Sequence, residues 1–257
     1  MEFPTVAVQD RVLDRVPGYV LGLIAVPAVE VVPTPPPVSD LLRAAEDALH
    51  ILQLSKADVS ALPSIAAWRE AYRQVGANPS KFPCAAESLL RRVAKGDRLP
   101  RINSLVDLCN AVSLQARLPV AACDVGAVGP ELTVRQAAGD EVYLPLGAPE
   151  APEHPEAGEV VYADGLGRAH SRRWNWRQSD VIKADVGPRR VLITVEAVHA
   201  GGRAQVEATL GRLAELLDAL LGDRLGRGAD AVRPAVVLDR EHPAASPFTV
   251  ELPQAAR

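Results

Sequence analysis

Apolar residues recur at helical spacing over five stretches of the chain, and each stretch carries start or stop signals. Over Asp40 to Leu54 one face holds Leu41, Leu42, Ala45, Leu49 and Leu52, with Ser39 placed as a cap. Ser64 to Val75 is closed by Gly76 and Pro79 and carries Trp68 and Tyr72 four apart on one face. A third helix starts near Cys84, after Pro83, turns Leu89, Leu90 and Val93 inward, and ends at Lys95-Gly96. Arg101 to Arg117 has the clearest stripe, made of Ile102, Leu105, Val106, Cys109, Val112, Ser113 and Ala116. Gly202 to Leu221 packs through Val206, Leu210, Leu213, Leu217, Leu220 and Leu221 and stops at Gly222.

Short apolar runs between turn residues predict strands. Two lie near the N-terminus, Thr5 to Val8 and Tyr19 to Val26, and the proline-rich Val31 to Val38 that follows reads as a stiff connector outside any helix. From Pro119 onward strands are expected at Val120 to Asp124, Leu132 to Gln136, Glu141 to Leu144, Glu159 to Ala163, Arg168 to Trp174 and Val191 to Val198. Ala148 to Gly158 reads as a surface loop, and Asp164-Gly165-Leu166-Gly167 as a hairpin connection. The tail, residues 223–257, offers strands at Ala235 to Leu238 and Phe248 to Leu252. The pattern predicts an α+β fold, an antiparallel sheet or partly closed β-barrel flanked by helices. Residues 1–63 belong to the same unit as 64–222, and 223–257 form a peripheral tail.

Composition changes this picture little. Hydrophobic residues make up 48% and charged residues 23% of 257, ordinary for a globular protein. The run Tyr19 to Pro27 is too short to span a bilayer and lacks a basic leader before it, so a cytoplasmic location away from membranes is expected. Cys84, Cys109 and Cys123 are widely spaced and read as reduced thiols. Five scattered histidines offer no metal-ligand spacing, and neither a metal nor another cofactor is expected.

A net charge of -4 argues against general affinity for polyanions, so local distribution matters more. Basic residues gather at Arg91, Arg92, Lys95, Arg98 and Arg101, and again between Arg168 and Asp180, where four arginines and two tryptophans share thirteen residues. Arginine forks onto phosphate or carboxylate, and tryptophan offers a stacking face, so Arg168 to Asp180 reads as the wall of a binding site. The competing reading is a hairpin end whose tryptophans fill the core. Arg91 and Arg92 also suit the C-terminal dipole of their helix. Asn103, Asp107 and Asn110 share a stripe beside the apolar face of theirs, as a polar network or as caps and surface positions.

Several separated blocks carry a family resemblance. Ile102-Asn-Ser-Leu-Val-Asp-Leu-Cys-Asn110, Leu118-Pro-Val-Ala-Ala-Cys-Asp124, Thr133-Val-Arg-Gln-Ala-Ala-Gly-Asp-Glu141 and Val160-Val-Tyr-Ala-Asp164 resemble, in order and spacing, the B3/B4 domain of the phenylalanyl-tRNA synthetase beta subunit. Trp68-Arg-Glu-Ala-Tyr-Arg-Gln-Val-Gly76 and Arg173-Trp-Asn-Trp-Arg177 are similar to freestanding B3/B4 proteins, and the likeness spans roughly residues 64–222. In the synthetase this domain removes tyrosine wrongly attached to phenylalanine tRNA, so the resemblance implies an aminoacyl-tRNA pocket. Where the synthetase pattern has a histidine this chain has Ala121, the threonine before Asn110 is Cys109, and the glutamate that senses the tyrosine hydroxyl aligns with Gln178. These departures count against tyrosine specificity.

The resemblance implies Asn103, Cys109, Asn110, Ala121, Asn175, Arg177 and Gln178 as substrate-binding positions, and the basic clusters suggest Arg91, Arg92, Arg172 and Arg173 for RNA. The implied partners are tRNA or aminoacyl-tRNA and an amino acid. Three function classes follow: a hydrolase that deacylates mischarged tRNA in trans, a non-catalytic module binding tRNA ends or amino acids, and a structural or regulatory partner of another translation protein. No catalytic base is evident, His170 reads as an exposed hairpin residue, and a nucleophilic Cys109 is a minor alternative because its stripe is buried.

Overall fold

The computed structural model describes residues 4–249. In chain order its elements are β1 (Thr5–Val8), α1 (Asp10–Arg15), β2 (Val20–Val31), α2 (Pro36–Ile51), α3 (Lys56–Ala61), α4 (Pro63–Gln74), α5 (Ala85–Ala94) and α6 (Ser104–Ala116). There follow β3 (Val120–Asp124), β4 (Glu131–Gln136), β5 (Val142–Tyr143), β6 (Val160–Asp164), β7 (Arg168–Ala169), β8 (Ser171–Arg172) and β9 (Arg177–Gln178). The last are β10 (Gly187–Ala197), α7 (Gly202–Leu221), β11 (Val236–Leu238) and β12 (Ala244–Ala245).

The strands form an antiparallel sheet in the order β11-β2-β10-β3, a mixed sheet in the order β12-β1-β4-β6-β7-β5, and the short pair β8-β9. The architecture is α+β, and the sheets do not close into a barrel. Parallel pairing of β1 with β4 and of β5 with β7 makes the larger sheet mixed, where the sequence pattern predicts antiparallel strands.

The smaller sheet explains the continuous apolar run of β2. Leu21, Leu23 and Ala25 enter the core shared with α2, α4 and α5, while Val20, Ile24 and Val26 enter the core beneath α6 and α7. Alternate residues of a strand face opposite sides, so a sheet covered on both faces needs apolar residues at every position. In β10, Val191, Ile193 and Val195 join the helix-covered side and Leu192 the other, so Thr194 and Glu196 share the side of Leu192.

Local chemistry sets several boundaries. The strand expected to end at Val26 continues to Val31, because the register shift opposite Arg190 accommodates Pro27. The proline run does enter a helix: Pro36 and Pro37 open α2, where backbone N–H groups have no helical partner to lose. Ser39 is therefore inside α2, where its hydroxyl accepts a bond from Arg101. Two short helices, α1 and α3, carry too few turns for a periodic signal, although Ser55 and Asp58 form a capping box for α3. Ile102, expected in the stripe of α6, precedes the helix and is 54% exposed.

The C-terminal segment supplies strands to both sheets, β11 beside β2 and β12 beside β1. Phe248 is buried in the larger core, and the rest of the strand expected at Phe248 to Leu252 lies outside the described residues apart from Thr249. Among the described residues no helix is long and apolar enough to cross a membrane.

Helix α7 lies against β2 at Gly22, where an added Cβ would sit 2.5 Å from Val206 Cγ1 and 2.7 Å from Leu210 Cδ1. Gly22→Ala is expected to destabilise the fold by about 1–3 kcal/mol through overpacking, measured by urea denaturation. An unchanged midpoint would mean the helix shifts freely on the sheet.

Candidate functional site

The two β8-β9 strands are joined by a four-residue turn, Arg173 to Trp176, whose first two residues have φ of 45° and 66°. Left-handed backbone at non-glycine residues costs roughly 1–2 kcal/mol each, so side chains must hold it. Trp174 is buried among Tyr19, Trp68 and Tyr72, with ring centroids at 4.9, 5.2 and 6.4 Å. Arg173 donates to Glu156 at 2.8 Å and lies 3.8 Å above the Phe82 ring, while its backbone N–H donates to Glu159 at 2.7 Å. Phe82 in turn meets the edge of Trp176, and the exposed guanidinium of Arg177 covers the other aromatic contact, 4.2 Å from the Trp176 ring.

This turn walls a cavity of about 310 Å³, near the lower end of small-molecule sites. The opposite walls come from the start of α5, the middle of α6, strand β3 and the Thr194–Glu196 face of β10. Cys109, Asn110, Ala121, Asn175, Arg177 and Gln178 all line it. Asn103 does not: it caps α6, accepting from Leu105 and Val106 and donating to Ala184 at 2.7 Å, with 2% of its surface exposed. Its neighbour Asp107 accepts the backbone N–H of Ile102 and the Thr34 hydroxyl at 2.5 Å, a structural role.

The polar groups of the cavity differ in how far they are committed. Asn175 accepts from Tyr72 at 3.0 Å and from the Ala85 N–H at 3.4 Å, and donates to Glu196 at 3.2 Å, which ties the turn to α4, α5 and β10. Gln178 donates its amide protons to the carbonyls of Ala122 at 3.2 Å and Ile182 at 2.9 Å, which leaves its Oε1 as an acceptor. Asn110 makes no side-chain hydrogen bond with the described residues, and Arg177 no ion pair. Its thiol pushed up by burial, Cys109 is a packing group rather than a nucleophile.

Three of the arginines considered for RNA are held by carboxylates. Arg91 pairs with buried Glu87 at 2.5 Å, and Arg172, 7% exposed, pairs with Glu159 at 2.8 Å and with Glu153. Arg173 has Glu156, as above. Phosphate contacts through Arg91 or Arg172 would have to break pairs with the buried carboxylates of Glu87 and Glu159. Arg92 is exposed on the last turn of α5. The surface loop Ala148 to Gly158 supplies two of these acids.

The structure also brings forward groups that the sequence pattern passes over. His170, far from being exposed, is fully buried on the cavity wall and bonded through Nε2 to Asp164 at 2.9 Å. Burial alone would raise the Asp164 carboxyl, but His170 and Arg168 hold it well below the usual carboxylate range. Glu196 is 2% exposed and accepts from Tyr19 at 2.8 Å as well as from Asn175. Burial pushes its carboxyl up to about 7 against the pull of these bonds. The signal for it in the sequence is a lone glutamate inside Val-Leu-Ile-Thr-Val-Glu-Ala, a polar break in a run otherwise made for a two-faced core.

A family model described as the B3/4 domain matches residues 67–221, which takes in the turn, α6, β3 and β10. The chain belongs to the B3/4 domain family. No curated protein matches it.

Because ionising Glu196 is opposed by burial, its contribution to stability is full below its unfolded value of about 4.3 and is lost as pH rises through the folded value. Denaturation midpoints are expected to fall between about pH 4.3 and about 7 in the wild type, and to fall less in Glu196→Gln. Parallel curves for the two proteins would show that Glu196 does not titrate in this window. Trp174→Ala is expected to cost about 3–5 kcal/mol by the same measurement, since it empties the aromatic cluster and frees the turn.

Proposed function

We propose that this B3/4 protein is tRNA-associated, that its cavity takes the aminoacyl end of a charged tRNA, and that it hydrolyses the ester in trans. The observation that carries the reading is the mixed lining of the cavity. Apolar groups of Ala121, Leu89 and Pro119 line it together with the uncommitted amide of Asn110, Oε1 of Gln178 and the Arg177 cation. An amino-acid side chain suits the apolar groups, and the polar atoms of the ester and ribose suit the others.

The chemistry asks little of the protein. An aminoacyl ester is already activated, so holding a water against the carbonyl and stabilising the oxyanion supply much of the acceleration. Asn110 and Arg177 are the available donors, since the amide protons of Gln178 are engaged by two carbonyls. Gln178 accepts a hydrogen bond from the substrate through Oε1, and the substrate's own ribose hydroxyl relays the proton to the leaving oxygen. With Arg91, Arg172 and Arg173 paired internally, Arg177, Arg92 and Lys95 remain as phosphate contacts from the two basic clusters.

A non-catalytic binding module is the second reading, and Ala121 favours it: at that position of β3 the cavity wall carries only a methyl group. Incubation with a panel of correctly charged and mischarged tRNAs, following loss of the ester, separates the two. At least one member is expected to be deacylated faster than in buffer, and Asn110→Ala and Gln178→Ala to slow that reaction by about tenfold or more, roughly 1.4 kcal/mol each. No acceleration for any member, with salt-sensitive tRNA binding retained, would leave the module reading in its place.

A further inference from the structure

Among the described residues, four of the six buried acidic residues pair with an arginine. Glu46 meets Arg101 at 3.1 Å and Glu87 meets Arg69 at 2.9 Å. Glu141 meets Arg135, and Asp164 meets Arg168 at 2.6 Å. Asp107 has the backbone N–H of Ile102 and the charge of Arg101 close by. Glu196 meets no cation among the described residues, and its donors, the Tyr19 hydroxyl and the Asn175 amide, are neutral.

The titratable groups that bear on this carboxyl among the described residues are of the same kind. Tyr19 precedes β2, Tyr162 lies on β6, Tyr72 on α4, Cys84 caps α5 and Cys123 lies on β3, and burial raises the pKa of each, so all five are neutral near pH 7. Of the charged or titratable residues that share the cavity wall, His170 is engaged by Asp164 and Arg177 is exposed over Trp176. A buried carboxylate without a counter-ion is costly, and it holds its proton unless something outside the chain supplies the charge. Glu196 lines a cavity that opens to such a ligand.

We propose that Glu196 is the counter-ion for a positively charged amine on the ligand, the α-ammonium of an amino acid whose apolar side chain lies along Ala121. This rests on the reading of the cavity as an aminoacyl site and names the group that selects for it. A free amine enters as the cation and completes the missing ion pair, while an N-acylated amino acid brings a neutral amide and leaves Glu196 unpaired. Arrival of the ammonium also favours the ionised carboxyl. Near neutral pH, where the acid is partly protonated, binding therefore expels a proton from Glu196. Tyr19 and Asn175 hold the carboxyl in place without neutralising it.

The test is calorimetric titration of the full chain with leucinamide, phenylalaninamide and tyrosinamide, which carry the amine and no hydrolysable ester, against their N-acetyl derivatives. At least one amide is expected to bind at least about tenfold more tightly than its N-acetyl form, a difference of roughly 1.4 kcal/mol. At about pH 6, below the α-amino value of about 7.7–8.0, its heat should vary with the ionisation enthalpy of the buffer as a released proton requires. Glu196→Gln should lower amide affinity about tenfold or more, abolish the proton release and leave the N-acetyl compounds unchanged. Equal binding of amides and N-acetyl amides, absence of proton release, or no binding by any amide overturns the proposal. Amide binding without ester hydrolysis would end the deacylase reading and leave the counter-ion intact. Deacylation of N-acetyl-aminoacyl-tRNA as fast as of its free-amine form would do the reverse.

Discussion

The burial of Trp174 is the interaction on which the site depends. A tryptophan in left-handed backbone next to an arginine in the same region is a conformation the turn would not keep alone. Three aromatic rings from β2's approach and from α4 enclose the indole, and the favourable burial of so large a side chain exceeds the backbone cost. Once Trp174 is fixed, the next four residues have little freedom. Asn175 turns back to tie α4, α5 and β10 together, Trp176 packs on Phe82, and Arg177 and Gln178 enter β9 facing the cavity.

The same cluster links stability to binding. Tyr19 packs against Trp174 and also donates to Glu196, so the group that holds the turn holds the acid at the cavity. The acid sits on β10, a central strand whose other face is the core beneath α6 and α7. Function is thus carried by a turn and a strand that are both anchored in the cores, with few long loops between them. The arrangement suits a ligand recognised by shape and by a small number of polar contacts.

How much of this was legible in the sequence depended on whether the signal was local. Helix α7 and strands β1 and β3 have the bounds that periodicity and turn residues predict, because their caps and apolar stripes lie within their own segments. The family blocks located Asn110, Ala121, Asn175, Arg177 and Gln178, which prove to line one cavity. Asn103 misled because a helix cap and a ligand contact call for the same residue type. The arginines misled for a different reason: whether a guanidinium is free or paired depends on acids thirteen and nineteen residues away, which reach Arg172 only in the folded chain. The polar break in β10 marks Glu196, but its burial, that of His170 and the absence of a cation beside Glu196 among the described residues are properties of packing.

The central claim is that one cavity, bounded by the Trp174 turn and Glu196, receives the aminoacyl end of a charged tRNA. A crystal structure grown with a non-hydrolysable 3′-aminoacylamino-adenosine tests it most directly. The account predicts the amino-acid side chain against Ala121, the ammonium at Glu196, and the adenosine leaving past Asn110 and Arg177. Analogue bound on another surface, or a cavity without it at saturating concentration, would contradict the account.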